Sequence, residues 1–316
     1  MRGVNDTEEP TIRRSPLEVI IDTDIGTDVD DAYAILLALS SPELNLRGLT
    51  LVHANLETRL KITAKLLKLA DRTDVPVALG ETHTMNRERP LTWLGNEGRG
   101  IDFSDVEGFQ PVGEHAAEFI ARTASEKPGE VTLITIGPLT NAGILLRDFP
   151  REAAMLRGIV TMGSTFNGFG PENAGREHNA AVDPEATMML LESGIPLLLV
   201  GWNVTIQTSL VRERMAEIAA LNTPMSRLIV TMTEDWLQMC KRDNTAMHDP
   251  LAVAAAFDSG VVGTISVTPE IRMESPESVI YHPAGDESPI RICNTVDVTR
   301  FEGLFFPRIM RAMERF

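Results

Sequence analysis

Short apolar runs and amphipathic stretches alternate along most of the chain. Leu17-Glu-Val-Ile-Ile-Asp22 is apolar and β-branched and runs into an acidic, Gly-containing stretch, which predicts a buried strand. Asp30 to Leu39 predicts a helix, with aspartates at the end where the helix dipole favours negative charge. Leu46 to His53 predicts a second strand, Thr58 to Asp71 a second helix, and Val75 to Leu79 a short third strand. Residues 82–113 are rich in Gly, Pro, Arg and Asn and predict a long excursion, a loop over a site. Beyond it the pattern predicts a helix over Glu114 to Ser125, a strand over Val131 to Ile136 and a helix over Asn141 to Arg147. A strand over Gly158 to Met162, a helix over Glu185 to Ser193 and a strand over Pro196 to Val200 follow. Residues 211–240 and 250–257 read as helical, 263–298 as β-rich with turns, and 299–314 as a closing helix.

This alternation predicts an α/β fold: a mostly parallel, doubly wound sheet with helices on both faces. The pattern shows no linker and no internal repeat, so one domain is expected over residues 17–316, preceded by a loose polar tail over 1–16. Met1 to Pro16 lacks the apolar core of a signal peptide, and no apolar run reaches the ~18 residues needed to span a bilayer. A cytoplasmic location is the expectation. In sheets of this kind ligands bind outside the carboxyl ends of the strands, so the residues just after each strand are the candidates for chemistry.

The chain has 316 residues, 43% hydrophobic and 23% charged, which is ordinary globular composition with enough length for a large core. Lys and Arg number 29 against 45 Asp and Glu, a formal charge of −16. A field of that sign argues against nucleic acid as a partner, because phosphate neutralisation supplies most of that affinity. It argues equally against anionic membrane surfaces. It leaves room for a small neutral substrate or a bound cation. The two cysteines, Cys240 and Cys293, suggest neither a disulfide framework nor a thiolate zinc site.

The stretch Asp22-Thr-Asp24-Ile-Gly26-Thr-Asp28-Val-Asp30-Asp31 places five carboxylates in ten residues, between a buried strand and a helix start. Such crowded like charges repel unless a cation is shared among them, and a hard cation with oxygen ligands fits best. A solvated loop with helix-capping aspartates is the plain alternative. An EF-hand loop starting at Asp22 would need Gly and Glu where Thr27 and Tyr33 stand, so that reading fails. A phosphatase using Asp22 or Asp24 as nucleophile with Mg²⁺ also begins with a strand and Asp-x-Asp. Its pattern wants Thr or Val where Gly26 stands, which weakens it to a runner-up.

Val19-Ile-Ile-Asp-Thr-Asp-Ile-Gly-Thr-Asp-Val-Asp-Asp-Ala32 resembles the N-terminal fingerprint of the inosine–uridine-preferring nucleoside hydrolases. The short family form runs Asp-x-Asp-Pro-Gly-x-Asp-Asp-Ala; here Ile25 replaces the Pro and two residues are inserted before Asp30. Ile134-Thr-Ile-Gly-Pro-Leu-Thr-Asn141 resembles the family's strand-to-helix turn. Glu177-His-Asn179, followed by Asp183-Pro-Glu-Ala186, resembles the family's Glu-Phe-Asn and Asp-Pro-Glu-Ala, with His178 in place of Phe. Met247-His248-Asp249-Pro250 resembles the late His-Asp-Pro motif. Leu94-Gly-Asn-Glu-Gly resembles a flexible loop that often carries His where Leu94 stands. The matched pieces run from about residue 17 to the segment Val296 to Phe305.

The resemblance implies a calcium-dependent ribonucleoside hydrolase that cleaves the N-glycosidic bond to ribose and a free base. It implies Asp24, Asp31, Asp249 and the Ile136 carbonyl as ligands of Ca²⁺, with Asp24 also the general base toward the attacking water. It implies Asp30, Glu177 and Asn179 as ribose contacts, with Asn55 after the second strand and Asn173 as further candidates. His178 falls where the sugar or base pocket is formed, and His248 beside the leaving base, where an imidazole of pKa near 6.5 could supply a proton. Trp93 and Trp236 could stack on a base. Asp22 and Asp28 receive no family role. The substrate class is a small ribonucleoside, and a homodimer or homotetramer is the expected assembly. The alternatives are the phosphoryl-transfer reading and a catalytically silent calcium- or ribose-binding protein on the same scaffold.

Overall fold

A computed structural model describes residues 15–91, 95–166, 177–271 and 279–316. The expected tail falls mostly outside the described residues, as do Trp93, Leu94 and Asn173.

The chain opens with β1 (Leu17–Thr23), α1 (Asp30–Leu39), β2 (Leu44–Leu51), α2 (Leu56–Leu69) and β3 (Val77–Leu79). After the excursion come α3 (Ala116–Glu126), β4 (Val131–Thr135), α4 (Thr140–Asp148), α5 (Pro150–Ala153) and β5 (Gly158–Met162). Then follow α6 (His178–Val182), α7 (Pro184–Glu192), β6 (Leu197–Val200), α8 (Trp202–Thr205), β7 (Ser209–Leu210), α9 (Arg212–Leu221) and α10 (Pro224–Cys240). The last elements are β8 (Thr245–Ala246), α11 (His248–Phe257), β9 (Val262–Ile271), β10 (Val279–Pro283), β11 (Ile290–Val296) and α12 (Val298–Arg315).

The main sheet has the order β10-β9-β11-β6-β5-β4-β1-β2-β3. From β3 to β11 the pairings are parallel, and β9 and β10 add an antiparallel edge. β1 lies between β2 and β4, where the winding reverses direction, and that switch point opens a crevice at the carboxyl ends of the strands. Alternation along β1 feeds both cores. Val19 and Ile21 join the cluster beneath α1, α10, α11 and α12, while Ile20 joins the cluster beneath α3, α4 and α7.

α1 is buried from Asp30 to Ala38 and packs on α11 and α12. A helix apolar nearly all round has to lie inside the protein. Burial of each large aliphatic side chain there contributes roughly 1.5–3 kcal/mol.

The predicted helical stretch 211–240 is two helices. Asn222 takes a left-handed φ of 50° at the end of α9, and Thr223 with Ser226 forms a capping box, with Pro224 in the first turn of α10. The helix expected from residue 250 begins at His248. The second strand ends at Leu51, short of the expected His53, because His53 and Ala54 adopt φ of 70° and 55° and turn the chain away. The excursion over 82–113 carries no helix or strand among its described residues.

Candidate active site

The acidic loop and the turn at Ile136 follow strands of this sheet, the His248-Asp249 pair follows β8 of a separate two-stranded sheet, and several of the motifs meet in one cleft of about 320 Å³. Asp24, Thr27, Asp28 and Asp30 line it from the loop after β1 and the start of α1. Ile136 enters after β4, Met162 from the end of β5, Glu177 to Asn179 from the segment around α6, Trp202 after β6, and His248 and Asp249 from the start of α11.

The loop after β1 can approach β4 because Gly137 has no side chain: a Cβ there would lie 2.8 Å from the Asp24 backbone N and from Asp24 Oδ1. Gly26, at φ 118°, occupies a backbone region that other residues rarely adopt. Behind the loop, Asp22 is fully buried and Oδ1 accepts hydrogen bonds from Thr50 Oγ1 at 2.5 Å and Asn141 Nδ2 at 2.8 Å. Burial pushes Asp22 up to about 7.

Asp28, Asp30 and Asp31 bring carboxylate oxygens within 4.8 Å of one another. Asp31 Oδ1 accepts from Thr23 Oγ1, and Asp30 Oδ2 accepts from the Asp249 backbone N. Asp30 Oδ1 and Asp31 Oδ2 are buried with no hydrogen-bond partner among the described residues. Burial, then repulsion by Asp24, raises Asp28 to about 6. Burial and mutual repulsion also raise Asp30, Asp31 and Asp249 well above the ordinary carboxylate range. Buried acceptors without donors are costly, and anions so close cannot all ionise alone. A cation resolves both problems, and an all-oxygen donor set suits a hard one. Asp28 therefore belongs to the cluster, as the run of five carboxylates suggested, although the family resemblance assigned it no role.

On the far wall, the Glu177 carboxylate accepts from the backbone N of Asn179 and Ser164, both at 2.7 Å, and of Ala180 at 2.9 Å. Burial raises its pKa against those three bonds. Asn179 Nδ2 donates to the Ile136 carbonyl at 3.0 Å and the Met162 carbonyl at 3.2 Å, so the side chain presents Oδ1 as its remaining polar atom. The Ile136 oxygen shares itself with Asn179 and keeps a second lone pair. The His178 ring meets the His53 ring edge-on at 6.1 Å, and burial lowers its pKa.

Two expectations change. Asn55 is exposed and does not line the cleft; its Oδ1 caps α2 by accepting from Thr58 N at 3.1 Å. The turn after β2 instead buries His53. His248 does not have a pKa near 6.5: burial, with Arg242 adding to it, lowers it to about 4, so the ring is neutral at pH 7. Its Nδ1 lies 2.6 Å from Thr205 Oγ1. Asn173 lies outside the described residues. Trp236 does line the cleft, with its indole N–H on Thr245 Oγ1.

Sequence reading missed Thr27, Trp202, Cys240 and Arg242 in the lining, and the fully buried Arg59 behind the loop. Trp202 follows a strand and was open to the same rule that found the others. Arg59 sits on the buried stripe Leu56, Arg59, Ile62, Thr63 and Leu66 of α2, where a charge on an apolar face was the available signal.

Residues 19–303 match the family described as inosine-uridine preferring nucleoside hydrolase. A pyrimidine-specific ribonucleoside hydrolase RihA of Salmonella arizonae is 33% identical over 258 residues, covering 79% of this chain and 82% of the relative. The protein of the same name in Escherichia coli is 32% identical over 247 residues, covering 75% and 78%. A purine-preferring ribonucleoside hydrolase from Gardnerella vaginalis superposes with a TM-score of 0.85 at 27% identity, over 95% of this chain and all of that one. With its acidic loop, Glu-x-Asn segment and late His-Asp pair gathered at the switch point of such a sheet, the chain belongs to the inosine-uridine preferring nucleoside hydrolase family, enzymes that hydrolyse N-glycosyl bonds.

Proposed function

We propose that this chain hydrolyses the N-glycosidic bond of ribonucleosides with the help of a calcium ion. The observation that carries the reading is the pair of buried oxygens without a hydrogen-bond partner among the described residues, Asp30 Oδ1 at the cleft and Asp31 Oδ2 behind its lining, with Asp249 bonded to Asp30 through its backbone N. Asp24, Asp31, Asp249 and the Ile136 carbonyl would hold the ion, and the position of Asp28 adds it to the donors within reach. Bound there, calcium supplies Lewis acidity and an oxygen-seeking charge to an otherwise anionic site.

The chain's own groups do the rest. Asp24 takes a proton from the attacking water as the C1′–O bond forms. The C1′–N bond breaks and its electron pair leaves with the base. The acidic surroundings favour the positive charge that develops on the ribose ring in an oxocarbenium-like transition state. Asp30, Glu177 and Asn179 Oδ1 accept from ribose hydroxyls. His178 and Trp236 pack around the substrate, and we assign His248, neutral at pH 7, a hydrogen bond to the departing base rather than delivery of a full charge. Asn173 stays a candidate ribose contact on the sequence motif alone.

Relatives named as pyrimidine-specific and as purine-preferring support a nucleoside substrate and leave the base to the His178, Trp202, Trp236 and Arg242 end of the cleft. The same reading places a homodimer or homotetramer in the cytoplasm, which sedimentation and cell fractionation test. No helix among the described residues is long and apolar enough to cross a membrane.

A reducing-sugar assay on inosine, uridine and a phosphate monoester tests the function. Free ribose from a nucleoside, lost on removal of calcium and restored by it, is the expected result. Inorganic phosphate from the ester without ribose release would favour phosphoryl transfer instead.

A further inference from the structure

Arg59 is fully buried behind the acidic loop. Removing a guanidinium from water is costly, and a buried one persists only where its donors are matched. Its Nε donates to the His53 carbonyl and one terminal nitrogen to the Ile25 carbonyl, both at 2.8 Å. The other terminal nitrogen donates to Thr27 Oγ1 at 3.2 Å and lies 3.8 Å from Asp24 Oδ2 and 3.9 Å from Glu97 Oε1. One side chain thus joins the loop after β1 to the turn after β2.

The loop needs such a restraint. It has no helix or strand between Thr23 and Asp30, it holds Gly26 at φ 118°, and it carries Ile25 where the short form of the fingerprint has Pro. Pro would fix one φ; Ile fixes none, and two added residues lengthen the span. Like charges on Asp28, Asp30 and Asp31, wherever they are ionised together, strain the loop unless a cation is shared among them. Among the described residues, Arg59 shares the restraint of the loop with Ile25 N, which donates to Thr23 Oγ1 at 3.1 Å, with the buried side chains of Ile25 and Val29, and with two neighbours from the excursion: Asn96 Nδ2 donates to the Thr27 carbonyl at 2.8 Å, and Glu97 Oε1 accepts from Thr27 Oγ1 at 3.2 Å.

We propose that Arg59 is a positioning residue whose guanidinium fork fixes the backbone of the acidic loop at Ile25 and Thr27, and so sets Asp24 and Asp28 in register with Asp30 and Asp31 for hydrolysis. The fork matters more than the charge. A lysine ammonium offers three donors from a single nitrogen and cannot reach the Ile25, Thr27 and His53 oxygens together. The charge by itself would oppose a cation in the cleft, so the contribution of Arg59 is geometric. Asp24 touches the reacting water in the proposed function; Arg59 acts through it. The inference rests on the acidic loop being the catalytic centre.

Arg59→Lys tests this, since it keeps the charge and removes the fork. Three measurements apply: amide hydrogen exchange of residues 24–29 in metal-stripped protein, calcium affinity by titration, and kcat and KM for uridine at saturating calcium. The expected result is faster exchange at 24–29 with β1 and β4 still protected, calcium affinity and kcat each lower by about 10- to 100-fold, and KM little changed. A purely structural role would loosen the whole domain and lower Tm without the local exchange or the kcat–KM split. Wild-type exchange, affinity and kcat in Arg59→Lys would overturn the proposal, as would loosening spread evenly over the sheet. Should Arg59→Lys not fold, Thr27→Val leaves Arg59 in place and removes one anchor. It should show the same local exchange change to a smaller degree, and wild-type behaviour there counts against the proposal. A wild-type enzyme that works without calcium would sink the calcium reading alone, because the exchange and kcat measurements still judge Arg59.

Discussion

The backbone N–H of Asp249 donates to Asp30 Oδ2 at 3.2 Å, across 219 positions of sequence. Asp30 opens α1 and Asp249 lies in the first turn of α11, so two ten-residue helices point their N-termini at the same carboxylates. The partial positive charge of those ends offsets part of the repulsion among the aspartates. The two free oxygens that remain, Asp30 Oδ1 and Asp31 Oδ2, are what a cation would complete.

Asp31→Ala and Asp249→Ala should fold, lose calcium and lose at least about 10²-fold in activity, because each removes charge and a ligand from a hard-cation site. Elemental analysis of the purified variants checks this. Full calcium occupancy in both would contradict the ligand assignment.

The metal-stripped protein should grow less stable from about pH 5.5 to about pH 7.5. Burial raises Asp22 to about 7 and Asp28 to about 6, so the folded chain holds these protons more tightly than the unfolded one. Their stabilising contribution is complete below the unfolded carboxylate value of about 4 and is lost as pH rises through 6 and 7. Asp74, Asp105 and Asp258, lowered by arginine or lysine partners, change charge below this window. The lowered His178 and His248 oppose the trend only up to the unfolded imidazole value of about 6.5, where the raised Asp30, Asp31 and Asp249 outnumber them. Calcium favours the ionised form, so its gain in Tm should increase over the same range. Calorimetry with and without calcium decides; a stripped-protein Tm that climbs with pH would refute the charge crowding.

Uridine should be preferred to 2′-deoxyuridine by about 10⁴-fold in kcat/KM, because the missing hydroxyl leaves buried polar groups unpaired. Comparable values would remove the ribose roles of Asp30 and Asn179.

His248→Ala should lower kcat for uridine by about 10- to 100-fold, the value of a hydrogen bond to developing charge, and should leave calcium bound. A p-nitrophenyl riboside, whose leaving group needs no such help, should suffer far less. Since burial keeps His248 near 4, kcat should show no His248 titration between pH 6 and pH 8. Equal losses on both substrates would assign His248 to holding Asp249 in place.

Asn55→Ala should cost about 1 kcal/mol of stability through loss of the α2 cap. Its KM for uridine should match the parent enzyme. A large rise in KM would return Asn55 to the ribose site.

Much of the fold was legible because a buried strand and an amphipathic helix each write a local period into the sequence. β1, β4, β5, β6, α1 and α3 lie where those periods predict them, and the doubly wound class follows from their alternation. Where local signals competed, boundaries moved: Asn222 and Pro224 divide one predicted helical stretch into α9 and α10. The acidic loop, Glu177, Asn179 and His248-Asp249 were legible as motifs at strand ends, since the switch point of such a sheet is where a site has to form.

What the sequence could not decide is what each side chain spends its polar atoms on. Asn55 and Asn179 look alike as asparagines near strand ends. Only the tertiary structure sends one to cap a helix at the surface and the other to the Ile136 carbonyl in the cleft. Asp28 meets Asp30 and Asp31 through the local turn into α1, whereas His248 loses its charge through burial that only the completed fold supplies. Arg59 is a helical arginine like any other until three oxygens from two turns close on it. Periodicity is set by residues a few positions apart, whereas desolvation and hydrogen-bond geometry are set by whichever atoms the completed fold places within a few ångströms.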